Sequence, residues 1–148
     1  MTIASILVVD DDRTTLRTMQ QALEPLGYAV SLATGGREAL RSLRHDSVDL
    51  VITDILMLDM DGFELIAALR KDFPGIPIVA ISGGGSLGPD TYLTIAKAFG
   101  ADGVLQKPIS RDELAIAIGA IEIGALRSTS RPRPPAPLLP HTYPFGTN

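Results

Sequence analysis

Three consecutive aspartates, Asp10-Asp11-Asp12, follow the first apolar run of the chain. Later apolar runs end in Asp54, in Ser82 and in Lys107-Pro108. If these runs lie side by side, two or three carboxylates, a hydroxyl and an ammonium face one another across one rim. Carboxylates so placed repel: at ~5 Å and an effective dielectric of ~20, each pair costs about 3 kcal/mol. Something positive should occupy the gap. A hard divalent cation fits, because Mg²⁺ takes one or two carboxylates together with waters and phosphate oxygens. Lysine serves as a point charge for a phosphoryl group, and a serine hydroxyl can donate to one of its oxygens. Asp54 then becomes a potential nucleophile that forms an aspartyl-phosphate.

The elements that must position these residues alternate between strand and helix. Ser5–Val9 (SILVV) is a continuous apolar run, the mark of a strand covered on both faces. Leu16, Met19, Leu23 and Leu26 recur at helical spacing up to Gly27. Tyr28–Ala33 reads as a second strand, and Ala39, Leu40 and Leu43 line a helix that follows Thr34-Gly35-Gly36. Strand three is expected over Val48–Thr53, helix three over Asp61–Phe73, strand four over Ile76–Ile81 and helix four over Asp90–Phe99. Gly103–Gln106 is a short fifth strand, and Ser110–Arg127 a last helix with Ser110 as its N-cap. Regular β–α alternation predicts an α/β fold, a five-stranded parallel sheet doubly wound by helices on both faces. In such sheets ligands sit at the carboxyl ends of the strands.

Composition narrows the classes. A chain of 148 residues that is 45% hydrophobic and 20% charged is globular in character. Thirteen basic against seventeen acidic residues leave no basic footprint for nucleic acid. The absence of cysteine removes disulfides, thiolate metal sites and cysteine nucleophiles, and His45 and His141 are too far apart to suggest a zinc site. The first apolar run lacks a basic prelude and does not read as a signal peptide; Leu114–Leu126 contains Glu122 and is too short to span a bilayer. Cytoplasm is the expected compartment. Prolines crowd into residues 132–144, so 127–148 reads as a proline-rich tail expected to be disordered, and 1–126 as the folded unit.

With ILVVDDD, DLVITDILMLDMDGFEL, IPIVAISG and ADGVLQKPI in this order and spacing, the chain resembles the receiver domain of two-component response regulators over roughly residues 4–124. The resemblance implies the flavodoxin-like, five-unit βα receiver fold. It implies that Asp54 is the phosphoacceptor and that Asp10 and Asp11 are the acidic pair for Mg²⁺ (or Mn²⁺). Asp11 and the backbone carbonyl of Leu56 would ligate directly, with Asp10 acting through water and Asp54 also in the metal set. Ser82 would be the switch hydroxyl, with Gly83 beside it at the phosphate, and Lys107 the phosphate-pairing lysine before a cis bond to Pro108. The implied function is a phosphorylation-dependent signalling switch of a two-component system or phosphorelay. A sensor histidine kinase or histidine phosphotransfer protein would supply the phosphoryl group, and protein contacts would carry the signal onward. The implied type is a stand-alone receiver with no DNA-binding domain, catalysing at most its own phosphorylation and dephosphorylation.

Departures from the family pattern carry their own expectations. Where the family has a Met-Pro pair, Met57 is followed by Leu58. The turn Asp59-Met60-Asp61-Gly62 is still expected, with Gly62 supplying a permissive conformation. Val104 stands where the family carries a rotating aromatic, and the fourth loop is enlarged to Ser82–Pro89. Asp12 is expected to be a cap rather than a ligand. On the last helix, Leu114, Ile118 and Ile121 should face the sheet. Ile116 and Ile123 form a second stripe, expected to be a contact surface for a dimer through the fourth and fifth helices or for the tail.

Two other readings compete with this one. LVVDDDRT fits the D-x-D-x-T opening of haloacid-dehalogenase-type phosphatases, with Asp10 as nucleophile and with Ser82 and Lys107 imitating later motifs. Against it, Asp54 would have no role, no acidic pair follows Lys107 after a strand, and no cap insert exists. A pseudo-receiver that only binds partners is disfavoured by the intact acidic set.

Overall fold

The computed structural model describes residues 2–83 and 88–127. The elements run β1 (Ser5–Val9), α1 (Arg13–Leu23), a 3₁₀ turn (Glu24–Leu26), β2 (Ala29–Ala33), α2 (Gly36–His45), β3 (Leu50–Asp54), α3 (Gly62–Asp72), β4 (Ile78–Ser82), α4 (Pro89–Phe99), β5 (Gly103–Gln106) and α5 (Arg111–Arg127). All neighbouring strands pair parallel, in the order β2-β1-β3-β4-β5. The expected α/β doubly wound sheet is therefore present. The chain enters at β1, turns to one edge through β2, then crosses to β3 on the other side of β1. That reversal opens a crevice at the carboxyl ends of β1 and β3.

The period of two along each strand sorts the core into two layers. Leu7, Val9, Val51, Ile78 and Ala80 pack with Leu43 of α2, Phe63 and Ile66 of α3, and Tyr92 and Ala96 of α4. Ile6, Val8, Leu50, Ile52, Val79 and Ile81 pack with Leu16, Met19 and Leu23 of α1 and Leu114, Ile118 and Ile121 of α5. The three central strands are buried along nearly their whole length, which is why they read as unbroken apolar runs. On α5 the expected inner stripe is buried, whereas Ile116 is 71% and Ile123 52% exposed.

Several boundaries differ from expectation for local reasons. β3 begins at Leu50, where the Asp49 carboxylate accepts from the N–H groups of Ala4 and Ser5 at 2.8 and 3.1 Å, and it includes Asp54, which pairs with Ile81 of β4. β4 begins at Ile78, since Pro77 has no N–H to offer, and it extends through Ser82, which pairs with Gln106. α1 stops at Leu23, where Pro25 converts the next turn to 3₁₀, closed by Gly27 at φ 100°. Ser110 caps α5 as expected: its hydroxyl accepts from Glu113 N–H while the Glu113 carboxylate accepts from Ser110 N–H, both at 3.1 Å. Asp61 caps α3 through Glu64 N–H at 2.9 Å. Of the expected tail, 127–148, Arg127 is the last residue of α5, and residues 128–148, like residues 84–87 of the fourth loop, lie outside the described residues.

A buried cation on α3 ties the far end of the sheet together. The Arg70 guanidinium reaches Asp102 at 2.9 Å and donates to the carbonyls of Gly100 and Ile76 at 2.7 Å each. Asp102 also accepts from Ile78 N–H at 2.8 Å, so one ion pair links α3, the start of β4 and the turn into β5. Breaking such a pair strands a charge and several carbonyls. Arg70→Ala should therefore lose about 3 kcal/mol in urea unfolding. A loss below ~1 kcal/mol, the value usual for a surface pair, would contradict this account.

Candidate functional site

Because β1 and β3 are neighbours in register, Val9 opposite Thr53, the residues that follow them share one rim. Asp10 and Asp54 are buried there and Asp11 is exposed, and one carboxylate oxygen from each lies within 4.8 Å of the others. Lys107, which follows β5, extends across the rim: its Nζ lies 3.3 Å from Asp10 Oδ2 and 3.4 Å from Asp54 Oδ2. The four expected charged residues are therefore brought together.

The loops hold each of them. Asp10 accepts from Asp12 N–H at 2.9 Å through Oδ1, which leaves Oδ2 for Lys107. Asp54 is arranged alike: Oδ1 accepts from Ile55 N–H at 2.9 Å while Oδ2 faces the ammonium. Asp12 lies apart as the N-cap of α1, accepting from Thr14 N–H and the Thr15 hydroxyl at 3.0 Å each, which lowers its carboxyl below the ordinary range. Ser82 is fully buried at the end of β4, and its carbonyl accepts from Lys107 N–H at 2.8 Å. A side chain at Gly83 would come within 2.8 Å of Lys107 Cδ, so glycine lets the lysine stem pass. The Lys107–Pro108 bond is cis. Leu56 stands partly exposed two residues after Asp54, and Val104 sits half-buried against the Phe63–Tyr92 layer. Ile116 and Ile123 are exposed on α5.

Gly62 requires a correction. Its φ is not positive; Gly27, Gly88 and Gly100 are the described glycines in that region. Glycine is needed for close approach instead, since a Cβ at 62 would come within 2.5 Å of the Asp54 carbonyl oxygen. Sequence reasoning also missed two loop contacts. Leu58 N–H donates to Asp11 Oδ2 at 3.0 Å, and the Asp59 carboxylate accepts from Arg37 N–H at 3.4 Å. The missing proline at 58 was the available signal for the first.

Burial and the neighbouring charge of Asp10 push the Asp54 carboxyl up to about 6, although Lys107 and the Ile55 N–H pull it down. Burial acts downward on Lys107, but Asp54 and Asp10 outweigh it and hold the ammonium above its ordinary value. A single ammonium thus offsets only part of the repulsion among three carboxylates. The donors are oxygens alone, with no sulfur or imidazole, a set that suits a hard cation such as Mg²⁺ or Mn²⁺.

Comparison with known proteins agrees with this geometry. Residues 6–119 match the response regulator receiver domain family. The chain is 39% identical over 115 residues to the transcriptional regulatory protein GlrR of Escherichia coli, covering 78% of this chain and 25% of that protein. It is 36% identical over 116 residues to the response regulator MprA of Mycolicibacterium vanbaalenii, covering 78% and 49%. The chain thus spans a quarter to a half of the length of these relatives. A response regulator receiver domain protein from Clostridium thermocellum superposes with a TM-score of 0.75 at 34% identity, covering 84% of this chain and 99% of that one. Nothing in these likenesses supports the phosphatase alternative, and Asp10, its nucleophile, is here buried and bonded to Lys107 and Asp12.

The raised Asp54 group makes metal-free stability depend on pH. Its proton is held more tightly in the folded state, near 6, than in the unfolded chain, near 3.9. The folded state therefore carries the extra proton between those values, and stability falls as pH rises through that window. Asp54→Asn should stabilise the metal-free protein by roughly 1–3 kcal/mol at pH 7, with Lys107 still paired to Asp10, and the gain should vanish near pH 4. Urea unfolding at both pH values checks this; a gain that is the same at both, or a loss at pH 7, would contradict it.

Proposed function

We propose, from the premise that this chain belongs to the response regulator receiver domain family, that it is a phosphorylation-dependent switch in which Asp54 takes a phosphoryl group from a phosphohistidine. One observation carries this reading: Asp54 turns Oδ2 to the Lys107 ammonium at 3.4 Å and shares a cluster of carboxylate oxygens with Asp10 and Asp11, at the carboxyl ends of the parallel strands. The donor is a sensor histidine kinase or a histidine phosphotransfer protein.

In this reading Asp54 Oδ2 attacks phosphorus, an O–P bond forms, the N–P bond to imidazole breaks, and the leaving nitrogen carries the electron pair away. Lys107, already 3.4 Å from Oδ2, pairs with the transferred phosphoryl oxygens. Ser82 supplies a hydroxyl to one of those oxygens, and Gly83 keeps the path of the lysine open. Asp10, Asp11, Asp54 and the Leu56 carbonyl hold Mg²⁺ or Mn²⁺, which when bound neutralises charge on the phosphoryl oxygens. The unit that performs this is 1–126, in the cytoplasm, with no turnover beyond its own phosphorylation and dephosphorylation. With Val104 in place of an aromatic, the signal leaves through the Ser82–Pro89 loop and α4, and the exposed Ile116 and Ile123 offer α5 as a contact surface or dimer face.

Intact-mass spectrometry after acetyl phosphate with Mg²⁺ tests the assignment. One phosphoryl mass should be added, lost on chelation of the metal before exposure, and absent in Asp54→Asn. Lys107→Ala should slow its appearance by about 10²-fold, the scale set by removing one charged stabiliser of a transition state. An adduct that persists in Asp54→Asn and maps to another residue would sink the proposal.

A further inference from the structure

We infer that the β3–α3 loop positions Asp11 for the cation through the backbone N–H of Leu58, which makes Leu58 a positioning residue of the site. This rests on the metal reading above. The Leu58 side chain is 93% exposed, so what the residue contributes inside the protein is its N–H, 3.0 Å from Asp11 Oδ2. Proline at this position would have no hydrogen to donate.

The loop is held so that this N–H is aimed. On the α2 side, the Asp59 carboxylate accepts from Arg37 N–H at 3.4 Å. It lies so close to Gly35 that a Cβ there would come within 2.5 Å of Asp59 Oδ1. Met60 seats against Gly36 in the same way, where a Cβ would come within 2.8 Å of its sulfur. On the α3 side, Gly62 N–H donates to the Ile55 carbonyl at 2.6 Å, and Asp61 caps the helix. Bare backbone at 35, 36 and 62 therefore lets the loop lie flat between α2 and the end of β3.

Asp11 needs such an anchor. Asp10 and Asp54 are buried and fixed by backbone N–H groups of their own, whereas Asp11 is exposed. A free carboxylate would lose rotamer freedom on meeting a cation, and the Leu58 bond removes part of that freedom beforehand. A carboxylate has about four lone-pair sites, so one N–H on Oδ2 leaves acceptors for the metal.

Mg²⁺ titration calorimetry of the full chain compares wild type, Leu58→Ala, which keeps the N–H, and Leu58→Pro, which removes it. Leu58→Pro should bind about three- to tenfold more weakly, with Leu58→Ala within twofold of wild type. Amide exchange without metal supplies a second readout that does not depend on the proline variant folding: the Leu58 N–H should be protected in wild type and lose protection in Asp11→Ala. Equal Mg²⁺ affinity in Leu58→Pro and wild type, or a freely exchanging Leu58 amide in wild type, would overturn the inference while leaving the metal site standing. No Mg²⁺ binding by wild type would overturn both.

Discussion

Like charge gathered at one edge of a parallel sheet is the constraint on which the rest depends. Three carboxylates have oxygens within 4.8 Å of one another, and one lysine ammonium is set against them. Burial of Asp54 sharpens the conflict, because desolvation disfavours its charged form and Asp10 adds to that. Such an arrangement makes poor sense as packing. It fits an acidic cluster that could hold a metal ion, with the lysine ammonium beside it.

The fold supplies this conflict by topology. Placing β3 at the centre and β1 beside it brings residues more than forty positions apart onto one rim, and β5 delivers Lys107 from the sheet edge. The apolar layers on both faces give the rim its rigidity. The far end of the sheet is held differently, by Arg70 and Asp102, so the end that fixes the fold and the end that carries the charge conflict are separate. Mutation at the far end is therefore expected to lower stability, whereas loss of a rim carboxylate is expected to leave it unchanged or raise it.

Much of this was legible in the residues, and the reasons are specific. β1, β3 and β4 are buried on both faces, so their sequences are continuous apolar runs, and the first polar residue after or at the end of each run marks the rim. Asp12 could be told from its neighbours because a helix takes one cap. Other features were not legible. Arg70 and Asp102 are 32 positions apart, and nothing local announces a pair. The role of Gly62 was misjudged because close approach and positive φ both select glycine. The Leu58 contact uses backbone, so residue type reveals it only through the absence of proline. Exposure of Ile116 and Ile123 needed the packing of α5, since its inner and outer faces are both apolar.

Thermal unfolding of wild type and Asp11→Ala at pH 7, with and without Mg²⁺, tests the charge conflict most directly. The account predicts that metal-free Asp11→Ala melts at or above the wild-type temperature, because one carboxylate of the repelling set is gone. It predicts that Mg²⁺ raises the wild-type melting temperature progressively with concentration, by mass action on the folded state, and leaves the variant nearly unchanged. A metal-free variant that melts clearly below wild type, or a wild type indifferent to millimolar Mg²⁺, would contradict it.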